Sequence, residues 1–158
     1  MSGSLLTGLV VAAALGAGLM AGLFFAFSAF VMEGLGRLPP AQGIAAMQSI
    51  NVAVLNPVFL TVFVGTAVLG ALLAVGALLG WGSGSALAVI AGALLYIVGT
   101  FGVTMVFNVP LNDRLAAAPD SAEGAALWRH YLVTWTVWNH VRTSGALAAT
   151  AAFIAALV

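Results

Sequence analysis

The chain of 158 residues contains no cysteine and no lysine. Without thiols there are no disulfides and no thiolate metal sites. Charge of either sign is scarce. Charged residues make up 5% of the chain, whereas a soluble globule carries about 25%. Four arginines balance four acids, for a formal net charge of zero. A nucleic acid partner would need a basic surface, and there is none to offer. The five prolines stand at the edges of apolar runs, not inside them.

What is present is apolar. Hydrophobic residues make up 63% of the chain, and mean hydropathy is +1.19. Such a surface is expected to face lipid, so the class is an integral membrane protein with the bilayer as partner. The expected fold is all-α, a four-helix membrane bundle in one transmembrane domain over 1–158, with spans at about 5–32, 57–80, 86–107 and 132–157. The first apolar run lacks a basic leader and is longer than the ~7–15 residues of a signal peptide core, so it is read as a span that stays.

In chain order, Gly18 and Gly22 form a small-xxx-small pair in span one, and Gly76 and Gly80 repeat that spacing in span two. Such pairs allow close helix approach and leave a homo-oligomer open. Glu33 and Arg37 mark the membrane exit, where Glu33 has Arg37 or Arg142 as candidate partners, and Pro39-Pro40 stop the helix. The stretch 41–55 reads as either an interfacial or a re-entrant helix. Asn56-Pro57 is an N-cap followed by proline at the first helical position. Trp81 is a candidate interface anchor, and the GSGS turn after it makes spans two and three a hairpin. In span three, Gly92, Tyr96, Thr100, Thr104 and Asn108 recur every four residues, a small or polar face expected to point into the bundle. Val109–Arg114 is read as leaving the membrane. Asp120 and Glu123 suggest a capping box opening the last helix.

All four arginines, Arg37, Arg114, Arg129 and Arg142, fall at one end of this arrangement. The positive-inside rule puts that end in the cytoplasm and both termini outside, in a bacterial inner membrane. Most hydrogen-bonding side chains gather at the same end, which implies a pocket there between facing helices.

The stretch Trp128–Thr143, WRHYLVTWTVWNHVRT, holds three of the four tryptophans, both histidines and two arginines. An ionisable residue within a span is costly and points to function, which singles out His140 and Arg142. His130 and His140 stand about 15 Å apart along one helix and cannot share a metal; no metal ligand set is expected, and a single-histidine haem or metal site stays open. Trp128, Tyr131, Trp135, Trp138 and Arg142 share a helical face. Spacing alone favours an interfacial aromatic belt over a wall for a flat ligand. Asn108 and Asn112 bracket Pro110 and serve either as caps or as site residues.

Five motifs carry a resemblance: GLFFAFSAFVM (Gly22–Met32), AMQSIN (Ala46–Asn51), NPVF (Asn56–Phe59), NVPLN (Asn108–Asn112) and WTVWNHVRT (Trp135–Thr143). In this order they resemble the anthrone oxygenase family of small membrane proteins, from about Gly22 to Gly145. Glu33 departs from the pattern, where proline is expected. The resemblance implies a four-helix membrane protein that oxidises a lipophilic anthrone, phenol or quinol-type molecule with dioxygen. It puts Asn108, Asn112, Trp135, Asn139, His140 and Arg142 at stake. His140 is the expected base. Arg142 and Asn108 are the expected holders of the oxyanion. Asn112, Trp135, Asn139, Trp138, Asn56 and Tyr96 are the expected substrate contacts. The anion reacts with dioxygen without a required cofactor. The competing readings are a haem-, metal- or quinone-binding redox subunit and a non-catalytic structural subunit.

Overall fold

The computed structural model describes residues 3–81, 85–119 and 121–158, and these are helical apart from short connections and the last residues, with no strand among them. Five helical rods follow one another. We label them α1 (Gly3–Gly36), α2 (Pro40–Ala53), α3 (Pro57–Leu78), α4 (Ala86–Ala116) and α5 (Ala122–Ala155). α5 packs along α1 and along α4, and α3 packs against α4 and α1. Two apolar cores result. One fills the length between the long rods with Ala13, Ala17, Phe24, Phe63, Tyr96, Ala149 and Phe153. The other closes one end with Met32, Ile44, Met47, Leu115, Trp128 and Tyr131.

The undecided stretch 41–55 is α2. Proline at its first turn needs no amide partner there. Gly43, Ile44 and Met47 turn inward onto the start of α5, each apolar side chain contributing about 1.5–3 kcal/mol of burial. Gly43 is required by contact: a Cβ there would lie 2.8 Å from the Trp128 ring. The second core joins the ends of α1 and α4 to the start of α5. The loops after α1 and α4 therefore share one end, as the sequence predicts.

Three rods, α1, α3 and α4, are long and apolar enough to cross a membrane. The expected fourth span lies in α5, which is not among them. Arg129, His130, Asn139, His140 and Arg142 lower its hydropathy, although its outward face carries Val133, Val137 and Leu147. The expected third span ends at about Phe107, and the helix that contains it continues through Pro110 to Ala116. π-helical turns at Ile97–Gly102 and Thr104–Asn108 precede the proline. A widened turn suits a residue that has no N–H and whose ring crowds the preceding turn.

α3 begins as expected, with Asn56 Oδ1 accepting from the Phe59 amide at 3.0 Å. It ends with Gly80 at φ +75°, Trp81 N–H donating to Gly76 O at 2.9 Å and Gly80 N–H to Ala77 O at 3.2 Å. This pair is a Schellman closure. Trp81 folds back over Gly76. Asp120 of the expected capping box and Gly82, Ser83 and Gly84 of the expected turn lie outside the described residues. The N-cap position of α5 is Ser121.

Candidate functional site

The inward face of α5 is set by its helical period. Trp128, Tyr131, Trp135, Asn139, Arg142, Gly145, Ala149 and Phe153 are all buried. Along this stripe the chemistry changes from aromatic to polar to small, and the polar step is the candidate site.

Arg142 is 5% exposed. Its Nη2 donates to Asn139 Oδ1 at 2.6 Å and its Nη1 to Thr104 Oγ1 at 3.3 Å. The guanidinium carbon lies 4.2 Å from the centre of the Phe24 ring and 4.9 Å from that of Trp135. Nε has no partner. Among the described residues no carboxylate is paired with Arg142; Glu33 pairs with Arg37 at the exposed end of α1. Desolvating a cation costs several kcal/mol, and cation–π contacts return about 2 kcal/mol when the partners are desolvated. The balance leaves a buried positive charge that favours an anion beside it.

Asn139 is fully buried and ties Arg142 to α1. Its Nδ2 donates to Phe24 O and to Ser28 Oγ, both at 2.7 Å. Ser28 sits in a π-helical turn, Phe27–Val31. The same Oγ lies 2.9 Å from His140 Nδ1. His140 itself is exposed, outside the packed interior. A hydrogen-bonded path thus runs from His140 through Ser28 and Asn139 to Arg142. Ser28 is the site residue that the sequence reading misses. The available signal was a lone hydroxyl in the aromatic run FFAFSAF, since hydroxyls in apolar helices find partners on neighbouring helices.

α4 supplies the facing wall. Thr100 Oγ1 donates to Arg142 O at 3.2 Å, and Asn108 Nδ2 donates to Trp135 O at 3.2 Å. The buried Asn108 Oδ1 has no partner. The four-residue stripe stays on one face for a geometric reason. In an α-helix a step of four slips by about 40° per repeat. π-helical turns hold more residues and cancel part of that slip. Gly92, Tyr96, Thr100 and Asn108 are all buried as a result.

The first three rings of the aromatic stripe are packed inside the protein and do not face outward as a belt would. Trp128, Tyr131 and Trp135 are buried, each under 5% exposed. Their rings stack in a column, 5.7 Å and 6.0 Å between successive centres. Asn112 organises it: its Oδ1 accepts from Tyr131 Oη at 2.8 Å and from Trp135 Nε1 at 2.9 Å. Trp138 lies flat on Phe107, centres 3.6 Å apart. Two expected contacts lie elsewhere. Asn56 is exposed and caps α3. Tyr96 donates to Phe63 O at 3.1 Å between α3 and α4. His130 is exposed beside Thr134. A cleft of about 210 Å³ opens between α2 and the start of α5, lined by Ile44, Gln48 and Pro119 among others. None of the expected site residues lines it. Among the described residues no three of His, Cys, Asp or Glu converge on a metal-binding position.

A family model described as Anthrone oxygenase matches residues 59–152, more than half of the chain. That stretch contains Asn108, Asn112, Trp135, Asn139, His140 and Arg142; Phe24 and Ser28 lie before it. No curated protein and no solved structure matches the chain.

Proposed function

The chain belongs to the anthrone oxygenase family, and from that membership we propose that it is a membrane-embedded oxygenase acting on a lipophilic anthrone, phenol or quinol-type substrate. In this reading α1, α3, α4 and α5 form a four-helix bundle in a bacterial inner membrane. Outward valines and leucines on all four rods support it. Arg37, Arg114 and Arg129, all exposed at one end, support a cytoplasmic position for that end, with both termini outside. The pocket lies at that end, between α1, α4 and α5.

The observation that carries the reading is the buried Arg142 guanidinium, with an unpaired Nε and no carboxylate paired with it among the described residues. An anthrone has an acidic methylene opposite a carbonyl. Loss of its proton makes an electron-rich oxyanion, and a fixed buried cation stabilises that charge without reorganising. His140 takes the proton, Arg142 holds the oxyanion and the unpaired Asn108 Oδ1 accepts from a ring hydroxyl. The carbanion carbon and dioxygen form a C–O bond. Loss of water from the resulting hydroperoxide leaves the second carbonyl. Overall, one anthrone and one dioxygen give one anthraquinone and one water. Trp135 and Trp138 flank the flat ring system.

Oxygen uptake by protein purified in mild detergent, with a hydroxylated anthrone as substrate, tests this. The wild type is expected to consume oxygen and form the quinone, and His140→Ala to lose both. Undiminished turnover in His140→Ala removes the base from this scheme.

A further inference from the structure

We infer that Ser28 holds His140 as its Nδ1–H tautomer, so that Nε2 is the basic nitrogen presented at the α1–α5 surface. The inference rests on, and deepens, the reading of His140 as the base. It makes Ser28 a positioning residue.

The argument is a hydrogen count. A serine hydroxyl has one hydrogen and two lone pairs. Three contacts meet at Ser28 Oγ. Asn139 Nδ2 can only donate, so the 2.7 Å bond fills one lone pair. Thr143 Oγ1 donates its own hydrogen to Asn139 O at 2.8 Å. It therefore has none left for Ser28, and in the 3.3 Å contact between the two hydroxyls Ser28 must be the donor. That uses the only hydrogen on Ser28. The 2.9 Å contact with His140 Nδ1 is then satisfied only if Nδ1–H donates into the second lone pair. In the other tautomer Ser28 would turn its hydrogen to Nδ1 and give up Thr143. One assignment satisfies every contact, and in it Nε2 carries the free lone pair. A bond at one ring nitrogen sets the role of the other.

The backbone explains why Ser28 reaches both partners. The π-helical turn Phe27–Val31 widens α1 where α5 packs on it, and its side chains take angles an α-helical turn would not give. Other titratable groups on these elements lie elsewhere: Glu123 and Arg129 are exposed near the start of α5 and the Tyr131 hydroxyl bonds Asn112. Glu33 pairs with Arg37, Arg142 bonds Asn139 and His130 lies beside Thr134.

The test is ¹⁵N NMR of labelled histidine in a His130→Gln background, which leaves one imidazole, at a pH where that ring is neutral. Wild-type Ser28 is expected to show the Nδ1–H pattern, and Ser28→Thr to keep it. Ser28→Ala is expected to move the signals toward the Nε2–H form that an unconstrained imidazole prefers. Thr143→Val supplies a second variant. It deletes the acceptor, frees the Ser28 hydrogen for His140, and is expected to shift the ring the same way. An Nε2–H ring in the wild type, or signals unmoved in either variant, overturns the inference. With an anthrone as substrate, Ser28→Ala is expected to lower kcat roughly tenfold to a hundredfold, with KM unchanged. The NMR arm needs no substrate, so failure of the tautomer assignment and failure of the oxygenase reading are separately visible.

Discussion

Gly99 and Gly145 meet backbone to backbone where α4 crosses α5. A Cβ on Gly145 would stand 2.9 Å from the carbonyl carbon of Gly99. One turn from this contact, Thr100 reaches Arg142 O, so the glycine pair sets the helix separation at which the polar site closes. The Gly18/Gly22 pair singled out from sequence packs less tightly: Gly22 has no atom within 4 Å of a built Cβ, and Gly18 meets only the Thr150 side chain. Gly145→Ala must push two backbones apart, and overpacking of this kind costs about 1–3 kcal/mol. Thermal unfolding in detergent is expected to show a lower Tm for Gly145→Ala and an unchanged Tm for Gly22→Ala.

Asn139 and Arg142 are expected to behave in opposite ways. Asn139→Ala strips a buried cation of a hydrogen bond and breaks the bonds to Phe24 O and Ser28 Oγ, which costs roughly 3–5 kcal/mol. Arg142→Met removes the buried charge and keeps much of its volume, a change often neutral or stabilising. Denaturant titrations should find Asn139→Ala destabilised, Arg142→Met close to wild type, and the double variant less damaged than Asn139→Ala alone. Oxygen uptake should fall in Arg142→Met by roughly 100-fold or more. Full turnover there would remove the oxyanion role from Arg142.

Asn112 Oδ1 serves two donors at once. Asn112→Ala leaves the buried Trp135 indole N–H unpaired and takes from the Tyr131 hydroxyl the oxygen it donates to, at about 1–3 kcal/mol for an unpaired group. Tyr131→Phe removes one donor and leaves Asn112 bonded to the other, so its cost should be about 1 kcal/mol. Equal Tm values for the two variants would show that the asparagine does not organise the aromatic column.

A chain without cysteine is suited to accessibility labelling. Ser121→Cys lies at the exposed start of α5 and Val158→Cys at the exposed far end. In sealed inner-membrane vesicles of known sidedness, a membrane-impermeant maleimide is expected to reach position 121 from the cytoplasmic face and position 158 from the opposite face. Labelling of both from one side would rule out the fourth crossing by α5.

Much of the architecture was legible because it is local chemistry. Asn56-Pro57 marks a helix start through a capping oxygen and a missing amide. Pro39-Pro40 separate two helices. The four-residue stripe on α4 names Thr100 and Asn108 as inward-facing. The Trp128–Thr143 stretch contains Asn139 and Arg142, which the structure brings together with Trp135. Ser28 and Phe24 were not legible as partners of that stretch. α1 is apolar on every side, so its sequence carries no stripe that says which face turns inward. The continuation of α4 to Ala116 was not legible because a proline crowds the preceding turn of an α-helix, whereas the π-helical turn before Pro110 lets the rod continue. The stacked column was misread because periodicity places three aromatic rings on one face without saying whether lipid or α2 covers it.

By itself the sequence determined the all-helical class, the helices, the loops that share an end, and a cluster of polar groups in an apolar chain. These follow from composition and from residues acting on their own backbone. Only the tertiary structure decided that Arg142 sits between Phe24 and Trp135 with no carboxylate bonded to it among the described residues, that Ser28 joins His140 to Asn139, and that Gly99 lies against Gly145. Those relations depend on the rotation of each rod about its axis and on three π-helical turns that reset it. When nearly every side chain is apolar, burial energy hardly distinguishes one rotation from another. The few interhelical hydrogen bonds and the glycine contact make the choice.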